Sequence, residues 1–333
     1  MKILFLAHTY FDLYKPILEE MQRQGHSVYM IEDIPLKYDY NSTEISNLRK
    51  LVCRLKRTIY RVENNYWNNK IKADSHLSER YDFLFCIQGL SFSPVLYKHL
   101  KKKNPDLKSV LYVWDTAKYY NFYRYTDCFD HFYTFDLYDT KTIDGLELLP
   151  SYWVPQYSES PNKYLLTMVG SDHDDRLEII SKIIPQLDKY GKPYYIKVVL
   201  NPCKIDKQKY PLEYKKAMAL QEQKAKMPYT TFEVIPVKNV MKLINSSSCI
   251  LDTDKPIQTG ATQRVIWALA HGKKVLSTNS YLREMPFYDA SQIQIIDREN
   301  PIIDFSFFDE KGKPNTQYFE QLRIDNWVRK ILL

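Results

Sequence analysis

The residues best suited to chemistry lie in the segment QTGATQRVIWALAHGKKVLSTN, residues 258–279. Gly260 lets the backbone approach a ligand without a side-chain clash, and Thr262 is suited to cap the helix that follows. A helix start favours a phosphate, and the planar guanidinium of Arg264 can donate two hydrogen bonds to phosphate oxygens. Gly272 is placed to end the helix. The segment predicts a phosphate site, although a turn, a cap and a surface arginine would produce the same pattern.

A second loop has the same layout. The apolar run LLTMVG ends at Gly170 and Ser171, and Arg176 follows in the first turn of an expected helix. A glycine at the carboxyl end of a strand, next to a helix start, again favours phosphate binding. The aspartates of the intervening DHDD are typical of helix capping, because the helix dipole favours acids there. They lack a defined set of partners, so we do not expect a metal site.

Two residues are candidates for acid–base chemistry. Removing a proton from a hydroxyl group needs a base, usually Asp, Glu or His in a cleft. Asp115 ends the apolar run SVLYVWD, and His8 follows KILFLA. An Asx turn or cap would also explain the aspartate, and a structural hydrogen bond would explain the histidine. Asp136 and Asp139 are similarly placed, but we expect them to organise their own loop.

Short apolar strands alternate with helix-compatible stretches along the whole chain. This pattern predicts an α/β fold with two Rossmann-like domains, residues 1–157 and 158–318, that face a central cleft. Residues 156–163 are polar and indicate a linker. Residues 319–333 predict an amphipathic helix that packs back on the first domain. Ligands of parallel sheets bind beyond the carboxyl ends of the strands, so the cleft is where we expect chemistry.

The composition limits the class of protein. Hydrophobic residues make up 44% of the 333 residues, which excludes a disordered chain. No apolar stretch approaches the roughly 18 residues of a membrane span. The five cysteines form no CxxC pair, which argues against a zinc or disulfide framework and favours a reducing compartment. We expect a cytoplasmic protein.

A basic helix is expected over residues 48–72, where eight lysines and arginines accompany an apolar stripe. It is either a solvated helix packed on its own domain or a surface for anionic lipid headgroups or a lipid-phosphate acceptor at the inner face of the membrane. Nucleic acid is a weaker candidate, because no nucleic-acid-binding signature accompanies the charge.

The second half resembles the nucleotide-sugar domain of GT-B glycosyltransferases, most closely the CgeB-like group from bacterial capsule and lipopolysaccharide clusters. The resemblance is carried by MVGSDHDDRLEII, CILDTDKPIQTGATQRVIWALAHGKKVLSTN and FYDASQIQIIDREN. In the first half, LYVWDTAKYYNFYRYTDCFDHFYTFDLYDTKTIDGLELLPSYWVP is similar to the same group. The resemblance covers most of residues 81–330.

The resemblance implies a sugar transferred from a nucleoside diphosphate donor on the second domain to a glycan or lipid-linked acceptor on the first. It implies no cofactor, since basic groups and a helix dipole can neutralise the leaving group without a metal. Val237 falls where such folds receive the base of the nucleotide. The diphosphate would lie against Gly170, Ser171, Arg176, Thr259, Gly260, Thr262 and Arg264.

One departure keeps other functions open. Many retaining members of this group carry two glutamates eight positions apart, and those positions are Thr259 and Trp267 here. A glutamate that would bind ribose hydroxyls is therefore absent. An inactive nucleotide-sugar or glycan-binding subunit is one alternative. A nucleotide-sugar 2-epimerase is another, but it would need a fuller set of cleft acids and histidines.

Overall fold

The first half of the chain forms a parallel sheet. The structure, a computed structural model, describes residues 1–9, 12–34, 36, 62–118, 122–155, 161–309 and 316–333. Within these residues the first sheet has six strands: Lys2–Ala7 (β1), Ser27–Glu32 (β2), Phe83–Ile87 (β3), Lys108–Val113 (β4), His131–Thr134 (β5) and Leu146–Leu148 (β6). Neighbouring strands follow the order β2-β1-β3-β4-β5-β6. All the pairings are parallel.

Helices bury both faces of this sheet, as parallel strands require. They are Tyr14–Arg23 (α1), Val62–Ala73 (α2), Pro94–Lys103 (α3) and Leu137–Thr142 (α4). Side chains alternate along each strand, so Phe5 and Phe85 join the core on the α1 side. Leu6 and Cys86 join the core beneath α2 and α3.

The second half forms another parallel sheet. Its described strands are Tyr164–Ser171 (β7), Tyr194–Val199 (β8), Thr230–Thr231 (β9), Ser247–Asp252 (β10), Lys274–Ser277 (β11) and Ile293–Ile295 (β12). They follow the order β12-β11-β10-β7-β8-β9, which is the order of a doubly wound Rossmann sheet. In such sheets ligands bind at the switch point, here the crevice beyond the carboxyl ends of β7 and β10.

Helices also accompany the second sheet. They are Arg176–Tyr190 (α5), Pro211–Ala225 (α6), Val237–Asn245 (α7) and Gln263–Ala270 (α8), and the chain ends with Thr316–Gln321 (α9) and Ile324–Leu332 (α10). The Thr262 side chain accepts a hydrogen bond from the Val265 N–H, which confirms it as the cap of α8. Gly272 adopts φ 68°, a left-handed conformation that ends this helix at low cost.

The predicted α/β fold with two Rossmann-like sheets is confirmed. Some predicted strands are shorter than the pattern indicates. The run TTFEVIP predicts a strand over residues 230–236, but the strand is only Thr230–Thr231, and Pro236 occupies the N-cap position of α7. Similarly, HFYTFD predicts a strand over residues 131–136, but β5 ends at Thr134 because the Asp136 side chain caps α4.

Two predicted segments lie partly outside the described residues. Residues 156–160 of the linker are not described, so the domain boundary stays a prediction. Residues 48–61 of the basic helix are not described either. Residues 62–72 of the predicted basic helix belong to α2. There the indole N–H of the fully buried Trp67 donates to the Ser91 carbonyl at 2.7 Å. This contact shows that the described part packs on the first domain, and membrane contact stays a prediction. No helix in the described ranges is long and apolar enough to cross a bilayer.

The last helix, α10, packs on the first domain. Trp327 is fully buried and lies 5.0 Å, between ring centroids, from Tyr112 of β4. Its indole N–H donates to the Pro150 carbonyl at 3.0 Å. The C-terminal helix therefore contributes to the core that supports the first sheet.

Trp327→Ala should lower the free energy of unfolding by about 3–5 kcal/mol, because it leaves a large cavity in a packed core. Urea denaturation measures the loss. Leu333→Ala at the same end of the chain is the control, since Leu333 is 91% exposed. The control should change stability by no more than about 0.5 kcal/mol. Equal unfolding midpoints for the two variants would contradict the packing described.

Candidate functional site

The carboxyl ends of the two sheets meet at Asp115, two residues beyond β4. Its Oδ2 accepts a hydrogen bond from the Gln88 Nε2 of the first domain at 3.0 Å. Its Oδ1 accepts from the Gln258 Nε2 of the second domain at 3.3 Å and lies 3.9 Å from the Lys255 Nζ. Asp115 therefore lies in the cleft between the domains, on the side where ligands of parallel sheets bind.

His8 and Asp115 influence each other's ionisation. Burial lowers the pKa of His8, while the carboxylates of Asp33, Glu32 and Asp115 act in the opposite direction. Burial raises the pKa of Asp115, and Lys255 and His8 oppose that shift. His8 is therefore neutral at pH 7, the form that accepts a proton from a hydroxyl group. The structure brings these two sequence candidates to one side of the cleft.

Arg176 lies in the crevice between β7 and β10 and is only 2% exposed. Its guanidinium donates to the Thr253 side chain at 2.8 Å and to the carbonyls of Ser171 and Thr253. A Cβ at Gly170 would lie 2.6 Å from the Arg176 Nη1, so the glycine makes room for the guanidinium. Burial and the neighbouring Arg264 lower the pKa of Arg176 to about 9, which leaves it cationic at pH 7.

Arg264 lies on α8 in the same crevice. Its Nη2 donates to the Asp252 Oδ1 at 2.7 Å, and its side chain is 21% exposed. Among the described residues, the buried Arg264 Nε and Asp252 Oδ2 have no hydrogen-bond partner. The Thr262 hydroxyl also donates to the Asp252 Oδ1 at 2.7 Å. Arg264 is thus held inside the crevice with one donor still unsatisfied.

The remaining cations of the crevice surround His173. Burial, together with Arg176, Arg264, Lys255 and Arg298, lowers the pKa of His173 to about 2. Four cationic side chains therefore act on this one imidazole. We call these four side chains, with His173, the cationic crevice.

Sequence reasoning found Arg176 and Arg264 but missed the other members of the cationic crevice. Lys255 and Arg298 each lie three residues beyond the end of a strand, β10 and β12 respectively. That position is a weak sequence signal for a binding residue, because every strand of a parallel sheet ends at this edge. Arg298 is also paired, with Asp175 at 2.6 Å and Asp254 at 2.5 Å.

The glycine turn before α8 contacts the first domain. The N–H groups of Thr259 and Gly260 donate to the Asp136 carboxylate at 2.8 and 3.4 Å, and the Thr259 hydroxyl donates at 2.6 Å. A Cβ at Gly260 would lie 2.3 Å from the Phe135 carbonyl oxygen. Close packing on the first domain therefore explains this glycine, and both amides already have an acceptor. Their role in holding a diphosphate stays a prediction.

Trp267 also contacts the first domain. It is 4% exposed, and its indole N–H donates to the Tyr152 carbonyl at 3.1 Å. Thr259 and Trp267 are the two positions where the resemblance leads one to look for glutamates. Both form contacts between the domains here. Val237 begins α7 and packs beside the core, so its role at the nucleotide base stays a prediction.

Comparisons with known proteins bear on the fold. No protein family model matches the chain, and no curated protein sequence does either. Arabidopsis thaliana UGT89C1 complexed with UDP matches with a TM-score of 0.54, 9% identity and 100% coverage of both chains. Sucrose-phosphate synthase from Thermosynechococcus elongatus matches with a TM-score of 0.53, 10% identity and coverage of 99% of this chain and 97% of that chain.

The chain has the GT-B fold. The low identity of both matches restricts this conclusion to architecture. In the described part of the GT-B chain, no group of three His, Cys, Asp or Glu side chains is arranged to hold a metal ion.

His173 should make stability depend on pH. Its native pKa of about 2 lies below the unfolded value of about 6.5, so the unfolded state takes up the proton first. The free energy of unfolding should therefore be highest above pH 6.5. It should fall by roughly 1–2 kcal/mol between pH 7 and pH 5 through this residue.

Urea denaturation at several pH values checks this prediction. His173→Gln should flatten the pH dependence. His26→Gln is the comparison, because His26 lies outside the cationic crevice and burial and the N-terminal ammonium lower its pKa. Identical pH slopes for wild type and His173→Gln would contradict the environment described for His173.

Proposed function

We propose that the chain is a glycosyltransferase of bacterial surface polysaccharide synthesis. It would move a sugar from a nucleoside diphosphate donor to a hydroxyl of a glycan or lipid-linked acceptor. The observation that carries the proposal is the cationic crevice, which lies at the switch point of the second sheet of a GT-B fold. Nucleotides bind at this position in doubly wound sheets.

The cationic crevice suits a diphosphate for electrostatic reasons. Arg176 is held by neutral oxygens, so no carboxylate bonds directly to its charge. Arg264 retains an unsatisfied donor, as described above. When the bond from the sugar to the diphosphate breaks, negative charge grows on the leaving oxygen. Preorganised cations stabilise that charge without a metal ion.

The acceptor would react on the opposite side of the cleft. In a transfer with inversion, neutral His8 takes the proton of the acceptor hydroxyl while that oxygen attacks the anomeric carbon of the donor. The carbon-to-diphosphate bond breaks, and the diphosphate remains in the cationic crevice. The nearby Asp115 carboxylate then stabilises the protonated imidazole.

A binding-only subunit is the second candidate. The observation in its favour is that Thr259 and Trp267 form contacts between the domains, which leaves neither available for a donor sugar in this arrangement. Incubation with nucleoside diphosphate sugars separates the two functions. Slow release of sugar supports the transferase, whereas tight binding without turnover supports the subunit.

Thermal denaturation with UDP, GDP, CMP and dTDP tests donor binding. One diphosphate should raise the melting temperature of the wild type by about 2–5 °C at saturating concentration. Arg264→Ala should remove most of that rise, measured against its own ligand-free melting temperature. Arg283→Ala is the matched control, because Arg283 is exposed on the helical turn Ser280–Glu284. No response to any nucleotide would contradict the proposed donor site.

A further inference from the structure

Gln88 holds an unfavourable backbone conformation at the edge of the cleft. It follows β3 directly, is only 2% exposed and has φ 72°. A glutamine in this left-handed region costs free energy, whereas the next residue, Gly89 with φ 69°, adopts it without strain. Such strain persists where the surrounding structure imposes it, and it concentrates at functional sites.

The surrounding structure holds the chain on both sides of Gln88. Its N–H donates to the Tyr112 carbonyl at 2.9 Å. The fully buried Asp33 carboxylate accepts from the Leu90 N–H at 2.6 Å and from the Ser91 N–H and hydroxyl at 2.7 Å. These hydrogen bonds therefore fix the backbone around Gln88 independently of its side-chain contacts.

The side-chain amide of Gln88 has a single workable orientation. Its Oε1 accepts from the Trp114 N–H at 3.1 Å, and its Nε2 donates to the Asp115 Oδ2 at 3.0 Å. A flipped amide would place an N–H against the Trp114 N–H and an oxygen against the carboxylate, so both contacts would become repulsive. The backbone of Trp114 thus compels Gln88 to offer a donor to Asp115.

We propose that Gln88 is a positioning residue that orients the Asp115 carboxylate within electrostatic reach of His8 and keeps it in the ionised form. A hydrogen bond donated to a carboxylate favours its anion, which opposes the effect of burial on Asp115. With Oδ2 held by Gln88, Oδ1 lies toward Gln258 and Lys255 of the second domain. The kinetic consequence rests on the proposed function, but the contact itself does not.

The titration of Asp115 provides a direct test. The charged groups that act on it are Lys255 and His8, and His8 in turn is affected by Asp33, Glu32 and Lys204. Infrared or carbon NMR titration, assigned with Asp115→Asn, measures the pKa of this carboxyl group. Gln88→Glu has nearly the same shape but replaces the donor by a second carboxyl, so it should raise the pKa of Asp115 by at least about one unit.

Gln88→Asn provides a second variant that is expected to fold. Asparagine tolerates the left-handed conformation but is one methylene too short to keep both contacts. It should also raise the pKa of Asp115. Asp12→Asn is the control, because Asp12 has φ 57° at an exposed position and should leave that pKa unchanged.

Transfer kinetics give the second readout. Both Gln88 variants should lower kcat by about 10- to 100-fold with little change in the donor KM, since a misplaced catalytic group slows chemistry more than binding. The acid limb of the pH–rate profile should move to higher pH. An unchanged Asp115 pKa in both variants, or a loss of activity with an unmoved pH profile, would overturn the inference. If the wild type transfers no sugar, the proposed function fails, and the titration still decides whether Gln88 positions Asp115.

Discussion

A single buried carboxylate sets the relation between the two halves of the site. Asp136 is fully buried, and its oxygens accept from the amides of Tyr138 and Asp139 in its own domain and of Thr259 and Gly260 in the other. A buried carboxylate is tolerated only when hydrogen bonds replace its hydration. Because these donors come from both domains, Asp136 links the Thr259–Gly260 turn to the first domain.

Two other residues of the site lie next to the loop that contacts Asp136. Gln258 immediately precedes Thr259 and donates to Asp115, and Arg264 follows in the first turn of α8. The loop that contacts Asp136 therefore includes Gln258, which contacts the candidate base Asp115, and leads directly to Arg264 of the cationic crevice. A small displacement of this loop would move both, which couples the two sides of the cleft.

The resemblance to GT-B enzymes and the departure from their glutamate pattern are compatible in physical terms. The fold places a crevice at the switch point whatever residues line it, and the TM-scores of 0.53 and 0.54 reflect that shared architecture at about 10% identity. The side chains of Thr259 and Trp267 pack against the first domain instead.

The sequence by itself determined the elements and their order, because strand and helix periods, the Thr262 cap and the Gly272 stop are local properties of the chain. It also identified Arg176 and Arg264, since each lies in the first turn of a helix that follows a strand. Only the tertiary structure showed why Gly260 is a glycine and why His173 is neutral. Both facts depend on groups distant in the sequence, Phe135 in one case and Lys255 and Arg298 in the other. Such contacts join residues at no fixed separation in the sequence, so no sequence pattern predicts them.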